Sequence, residues 1–172
     1  MATENLYTHN HIRTFHGNYI NPCDPDPEMI SIGDIAHALS MQPRFGGHLP
    51  IFYSVAQHCV LAAEYVSDEY KLAALLHDAS EAYLIDVPRP VKRQLANYKE
   101  VEDKLMTVIA AKFGFQWPLH DYVKRADEQM LRREWECLML QGDVWEPIEV
   151  WEQEQAKGRF LDLYHSLKGK QL

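Results

Sequence analysis

At 172 residues the chain is long enough for one domain with a sizeable core. Its 47% apolar and 24% charged residues are the profile of a soluble globule, and no apolar run approaches the ~20 residues of a membrane helix. The formal net charge of −8 argues against long nucleic acid as a partner, which calls for a basic face, while a small anion needs only a few local cations.

The opening residues Met1 to Asn5 have neither the basic region nor the apolar stretch of a signal peptide. Residues 1–30 read as irregular, with Pro22, Pro25 and Pro27 punctuating an acidic loop from Asp24 to Glu28. Ser31 and Asp34 have capping-box spacing, and Ile32, Ile35, Ala36 and Leu39 give the following helix an apolar face. Gly46, Gly47 and Pro50 interrupt the chain before a second helix over about Tyr53–Val66. A third is expected over about Glu69–Leu84, ended by Pro88 and Pro90. A fourth covers about Tyr98–Phe113 and stops at Gly114. A fifth starts near Asp121 as N-cap and ends before Gly142, and a sixth spans about Pro147–Leu167. Strand-like alternation is absent over any useful length. The expected fold is an all-α, single-domain helical bundle. Cys23, Cys59 and Cys137 are odd in number and form no CxxC pair, which points to a reducing cytoplasm.

Several helices carry polar residues on faces that are otherwise apolar. His58 shares a stripe with Val55, Leu61, Ala62 and Tyr65. His77 and Glu81 are four apart, hence on one face with Ala73, Ala74 and Leu84, and Asp78 is adjacent. Asp127 lies among Val123, Met130 and Leu131. Any one of these alone is more often an ordinary core residue than a ligand. A buried carboxylate, however, costs several kcal/mol unless compensated. Two Asp and two His on inward faces of separate helices are most economically explained by one divalent cation, and the mixed imidazole–carboxylate set suits a first-row transition metal.

The order His58, His77-Asp78, Asp127 resembles the HD-domain phosphohydrolases, over about Phe15 to Leu140. Within that superfamily the chain is most similar to bacterial and prophage 5′-deoxynucleotidases and related phage deoxynucleoside triphosphohydrolases. The likeness is carried by Asp-Ile-Ala-His-Ala-Leu-Ser at 34–40, Arg-Phe-Gly-Gly-His at 44–48, Tyr-Ser-Val-Ala-Gln-His at 53–58 and Leu-His-Asp-Ala-Ser-Glu-Ala-Tyr at 76–83. The resemblance implies His58, His77, Asp78 and Asp127 as ligands of a divalent Co, Mn, Mg, Ni or Zn ion, with Asp78 and Glu81 as the catalytic residues. Glu81 orients or deprotonates the attacking water. It implies Arg44, Lys92 and Lys124 as phosphate contacts, and Phe45 as the aromatic beside base or sugar where relatives often have Trp. Asp86, in Asp-x-Pro-x-Pro-x-Lys, would read the deoxyribose. It further implies a homo-oligomer; Trp145 and Trp151 near the C-terminus are candidate interface anchors and read equally as core.

The expected activity is hydrolysis of a deoxynucleoside 5′-monophosphate to the deoxynucleoside. A deoxynucleoside triphosphohydrolase is the first alternative, because both attack the same phosphorus and the ligand set does not separate them. A catalytically inactive nucleotide-binding protein would be marked by loss of a ligand or of Glu81, and neither is lost. A metal-free structural bundle would have to bury two Asp and two His without a cation. The His-His-Glu and Gly-Tyr-Pro motifs of cyclic-dinucleotide phosphodiesterases are absent. Arg44, Lys92 and Lys124 also read as solvated charges, Asp86 as a turn cap and Phe45 as core. His9 and His11 have metal-pair spacing but sit in the terminal segment. His48 is close enough to Arg44 in sequence to line the same site.

Overall fold

The computed structural model describes residues 10–142 and 147–169. Helices dominate it. Among the described residues the only paired strands are β1 (Ile12–Arg13) and β2 (Tyr19–Ile20), a two-residue antiparallel hairpin in the segment expected to be irregular. Eight α-helices follow among the described residues: α1 (Ile32–Met41), α2 (Val55–Ala62), α3 (Lys71–Leu75), α4 (Glu81–Leu84), α5 (Arg89–Lys92), α6 (Tyr98–Phe113), α7 (Asp121–Glu134) and α8 (Gln153–Gly169). None of the described helices is long and apolar enough to cross a membrane.

α2 is the centre of the molecule. Every residue of it except Leu61 is buried, so it is enclosed on all sides rather than amphipathic. α1, α3, α7 and α8 pack around it, and α8 also lies across α1. Ser54 caps α2 by accepting from the backbone N–H of Gln57. The Gln57 side chain then bonds twice: its amide donates to the Glu149 carbonyl, and its carbonyl accepts from the Trp151 N–H. These bonds tie the chain leading into α8 to the middle of the core.

The capping box at α1 takes a modified form. Ser31 Oγ accepts from the Asp34 N–H at 3.0 Å and donates to Asp34 Oδ2 at 2.8 Å. Asp34 also accepts from the His16 backbone N–H and from the Asn18 amide, which fastens the β1–β2 hairpin to the helix start. Gly114 ends α6 at φ 76°, the left-handed conformation that glycine adopts without penalty.

Four expected features are corrected. The third helix is not continuous. After α3 the backbone passes through tight turns, with Ala79 N–H bonded to the Leu76 carbonyl and Glu81 N–H to that of Asp78, before α4 begins. The N-cap of α7 is His120, whose ring nitrogen accepts from the Tyr122 N–H, and not Asp121. The last helix starts at Gln153 rather than near Pro147. Trp151, expected as an interface anchor, is a core residue 4% exposed, with the Arg159 guanidinium over its ring. Trp145 and His9 lie outside the described residues.

Candidate metal centre

Three elements converge beneath a cavity of about 880 Å³. α2 supplies His58, the turn between α3 and α4 supplies His77 and Asp78, and α7 supplies Asp127. Both imidazoles are buried, and the two carboxylates are partly exposed at the cavity floor. The two Nε2 atoms are 3.3 Å apart. Asp127 Oδ1 stands 3.2 Å from His58 Nε2 and 3.7 Å from His77 Nε2. Asp78 Oδ2 stands 3.2 Å from His77 Nε2 and 3.8 Å from His58 Nε2. Each carboxylate therefore faces both imidazoles. The turn at Leu76–Ser80 carries the adjacent His77 and Asp78, whose Nε2 and Oδ2 are 3.2 Å apart.

The outer nitrogens define what the inner ones offer. His77 Nδ1 lies 2.6 Å from the Ala74 carbonyl oxygen, and His58 Nδ1 lies 2.5 Å from Glu134 Oε1. Carbonyls and ionised carboxylates only accept, so both Nδ1 atoms carry the hydrogen. In the neutral rings two Nε2 lone pairs and two carboxylates then face a common centre with no donor among them. Protons or a cation must fill it. In the absence of a cation, both histidines hold protons more tightly than usual. Burial opposes this for His77, but Asp78 and Asp127 outweigh it; for His58, burial and Arg44 oppose while Glu134 and Asp127 prevail. Asp78 and Asp127 are lowered in return, against burial, by the same imidazoles.

The donor set fits a metal ion equally well. Bonds of about 2.1 Å put adjacent ligands about 3.0–3.4 Å apart, which the 3.2–3.3 Å spacings meet and the 3.7 and 3.8 Å spacings exceed. His58, His77 and Asp127 offer ligand atoms all within 4.8 Å of one another, and Cys59, His77 and Asp78 form an overlapping trio. Burial pushes the Cys59 thiol up to about 11, so it is a neutral group behind His77.

The cavity of about 880 Å³ opens above this centre. Among the residues expected at the site, Arg44, Phe45, Glu81, Asp86 and Lys92 line it, as does His48. Glu81 is 5% exposed; its Oε1 is 3.5 Å from Lys92 Nζ, while its Oε2 is buried without a hydrogen-bond partner among the described residues. Burial, Asp78 and Asp86 hold its carboxyl well above the ordinary range. Lys92 is held between Glu81 and Glu102, at 2.8 Å from the latter. Gln42 positions both Glu81 and Asp86 through their backbones, donating to the Glu81 carbonyl at 2.9 Å and accepting from the Asp86 N–H at 3.0 Å. Arg44 and Phe45 enter the cavity from a turn in which Phe45 and Gly46 have φ of 56° and 60°. Lys124 stands apart: it is exposed, pairs with Asp121 at 3.1 Å and does not line the cavity.

Three contributors escaped the sequence reading. Glu134 is wholly buried and joins His58, Arg44 and Tyr53. Its position seven residues after Asp127, on the same helical face, was the available signal. Arg89 reaches Asp127 Oδ2 at 3.1 Å and Glu128 at 3.0 Å from between two prolines that read only as helix breakers. Trp135, 46% exposed, faces Phe45 across 6.1 Å at the cavity wall, and nothing local marks it as a site residue.

No family model matches the chain. It is 44% identical over 139 residues to the uncharacterized protein YfdR of Escherichia coli (strain K12), covering 80% of this chain and 78% of that protein. It is 36% identical over 124 residues to the uncharacterized protein RCAP_rcc00048 of Rhodobacter capsulatus, covering 66% of this chain and 63% of that one. On the extent and identity of the first match, the chain belongs to the same family as YfdR.

Proposed function

We propose that the chain is a metal-dependent phosphohydrolase of the HD-domain type that hydrolyses deoxynucleoside 5′-monophosphates. The observation that carries this reading is the convergence of two Nε2 lone pairs and two carboxylates on the floor of an open cavity, with an unpartnered buried carboxylate oxygen, Glu81 Oε2, in the same cavity wall. His58, His77, Asp78 and Asp127 would hold a divalent ion. When bound, such an ion acts as a Lewis acid that neutralises charge on the phosphoryl oxygens and makes water more acidic.

The remaining steps belong to the chain's own residues. Glu81 accepts the proton of the attacking water, for which a carboxyl held above its ordinary range is suited near neutral pH. The water oxygen bonds to phosphorus as the bond to the 5′-oxygen breaks, and that oxygen takes back the proton held by Glu81 and leaves as the hydroxyl of the deoxynucleoside. Arg44 presents its guanidinium to the phosphate, where it opposes the charge spread over the phosphoryl oxygens. Asp86 faces the sugar, and Phe45 and Trp135 flank the base.

A second reading is favoured by Arg89 and Lys92, two cations in the cavity beyond Arg44. They suit a longer phosphate chain, so a deoxynucleoside triphosphohydrolase that breaks the same bond and releases triphosphate is retained.

A panel of deoxy- and ribonucleotides at each phosphorylation level, incubated with the protein and Co²⁺, Mn²⁺ or Mg²⁺, separates the readings by product. Deoxynucleoside with orthophosphate supports the first, and deoxynucleoside with triphosphate supports the second. Metal binding without turnover of any member overturns both.

A further inference from the structure

Glu134 closes α7 two helical turns beyond Asp127, completely buried behind the metal centre. Its Oε1 accepts from His58 Nδ1 at 2.5 Å and from the Tyr53 hydroxyl at 2.9 Å. Its Oε2 accepts from Arg44 NH2 at 2.8 Å. Three donors from three different segments thus meet one carboxylate that does not itself line the cavity.

We propose that Glu134 is a positioning residue that couples the ion-holding His58 to the phosphate-facing Arg44. The inference deepens the proposed phosphohydrolase reading and rests on it. An ionised carboxylate has no hydrogen to give, so His58 must donate from Nδ1, and the neutral ring then presents its lone pair at Nε2. Second partners of this kind orient a metal-ligating histidine and raise its basicity. The other oxygen of Glu134 holds Arg44 by one end of its fork. Arg44 NH1 is left 3.7 Å from Asp78 Oδ2, and its Nε is buried without a partner among the described residues. One carboxylate therefore aims a ligand lone pair on one side and a phosphate donor on the other.

A neutral amide cannot do both. Glutamine has one accepting oxygen and one donating NH2. With the oxygen toward His58 and Tyr53, the NH2 confronts Arg44. With the NH2 toward His58, the ring must accept at Nδ1, and its hydrogen moves to Nε2, where it blocks a ligand position.

The test compares wild type, Glu134→Gln, Glu134→Asp and Tyr53→Phe. Co²⁺ affinity and inorganic phosphate affinity of the Co²⁺-loaded protein are measured by calorimetry. The His58 tautomer is read in metal-free wild type by long-range ¹H–¹⁵N correlation at a pH where the ring is neutral. Glu134→Gln is expected to lose about 10- to 100-fold in Co²⁺ affinity, in phosphate affinity, or in both, as for lost second partners of metal ligands. Glu134→Asp recovers part of the loss. Tyr53→Phe, which removes a donor without altering either partner, stays within about twofold of wild type. A Glu134→Gln protein that binds both probes like wild type overturns the proposal. If Glu134→Gln does not fold, the wild-type tautomer decides: a hydrogen on Nδ1 supports the proposal, and a hydrogen on Nε2 overturns it. Failure of the hydrolase reading appears separately, as absence of nucleotide turnover, and leaves these binding and tautomer measurements readable.

Discussion

At the scale of single residues, the site separates groups that hold from groups that react. Glu81 lines the cavity without being one of the four candidate ligands, so Glu81→Gln should keep Co²⁺ binding and the fold while kcat falls about 10²-fold or more. Near-normal turnover would show that Glu81 is structural. Lys92 lowers the Glu81 carboxyl electrostatically, against the raising effects of burial, Asp78 and Asp86. Removing that cation in Lys92→Met should therefore raise the Glu81 pKa further and move the acid limb of the kcat–pH profile to higher pH; an unmoved limb would assign it to another group. Asp86 is fixed by the bond from its backbone N–H to Gln42 and stiffened by Pro88. Its carboxylate is suited to accept from a sugar 3′-hydroxyl while crowding the 2′-position. An unpaired polar group there costs ~1–3 kcal/mol, so kcat/KM should favour deoxyribose by about tenfold to a hundredfold. Asp86→Asn should narrow that ratio; equal slowing of both sugars would mean that Asp86 only supports the turn.

At the scale of elements, short helices and their caps do the positioning. The start of α1 depends on Asp34, which is 2% exposed and accepts from His16, Asn18 and Ser31. Burial alone would raise its carboxyl, but hydrogen bonds from His16, Ser31 and Thr14 hold it down to about 2. An unfolded Asp titrates near 3.9, so the folded state releases this proton more readily. The contribution, about 2 kcal/mol by linkage, is complete above roughly pH 5 and is lost as pH falls through 4 toward 2. Urea unfolding of Asp34→Asn should show the deficit at pH 7 and a shrinking difference from wild type as the pH is lowered. A deficit independent of pH would locate the effect in packing. The turn carrying Arg44 and Phe45 shows the same economy of length. Three consecutive residues at positive φ, Phe45, Gly46 and Gly47, turn the chain sharply, and Gly46 lies close to Pro88.

At the scale of the molecule, the core and the centre are one structure, because the most enclosed helix, α2, also carries His58. Filling the centre should therefore stabilise the whole chain. Co²⁺ at about a hundred times its dissociation constant adds ~2.7 kcal/mol, which for a chain of this size raises Tm by roughly 5 °C or more, reversed by chelator. A Tm indifferent to Co²⁺ and to chelator would remove the metal from the account. The family resemblance also leads us to expect a homo-oligomer. Light scattering should give at least twice the 20.0 kDa of one chain, and a clean monomer would count against it. Trp151 does not contribute to any such contact, since it is in the core.

Periodicity and punctuation in the sequence were enough for the helical class, for the capped start of α1 and for the end of α6 at Gly114, because these depend on residues within a turn or two of each other. The same local signals marked His58, His77 and Asp127 as polar intrusions on apolar faces, and the structure brings them together with Asp78. Long-range contacts decided the rest. The third helix breaks at Leu76–Ser80 although no proline or glycine marks it, since that turn aims His77 and Asp78 at partners on α2 and α7. Lys124 turns to Asp121 while Arg89 takes the place beside Asp127, a choice between side chains set by which element reaches the cavity. Glu134 is 90 residues from Arg44, 81 from Tyr53 and 76 from His58 in the chain, so its role exists only once α7 has packed against α2. Hydrogen bonds act over about 3 Å, and a sequence shows which groups are available but not which of them folding brings that close.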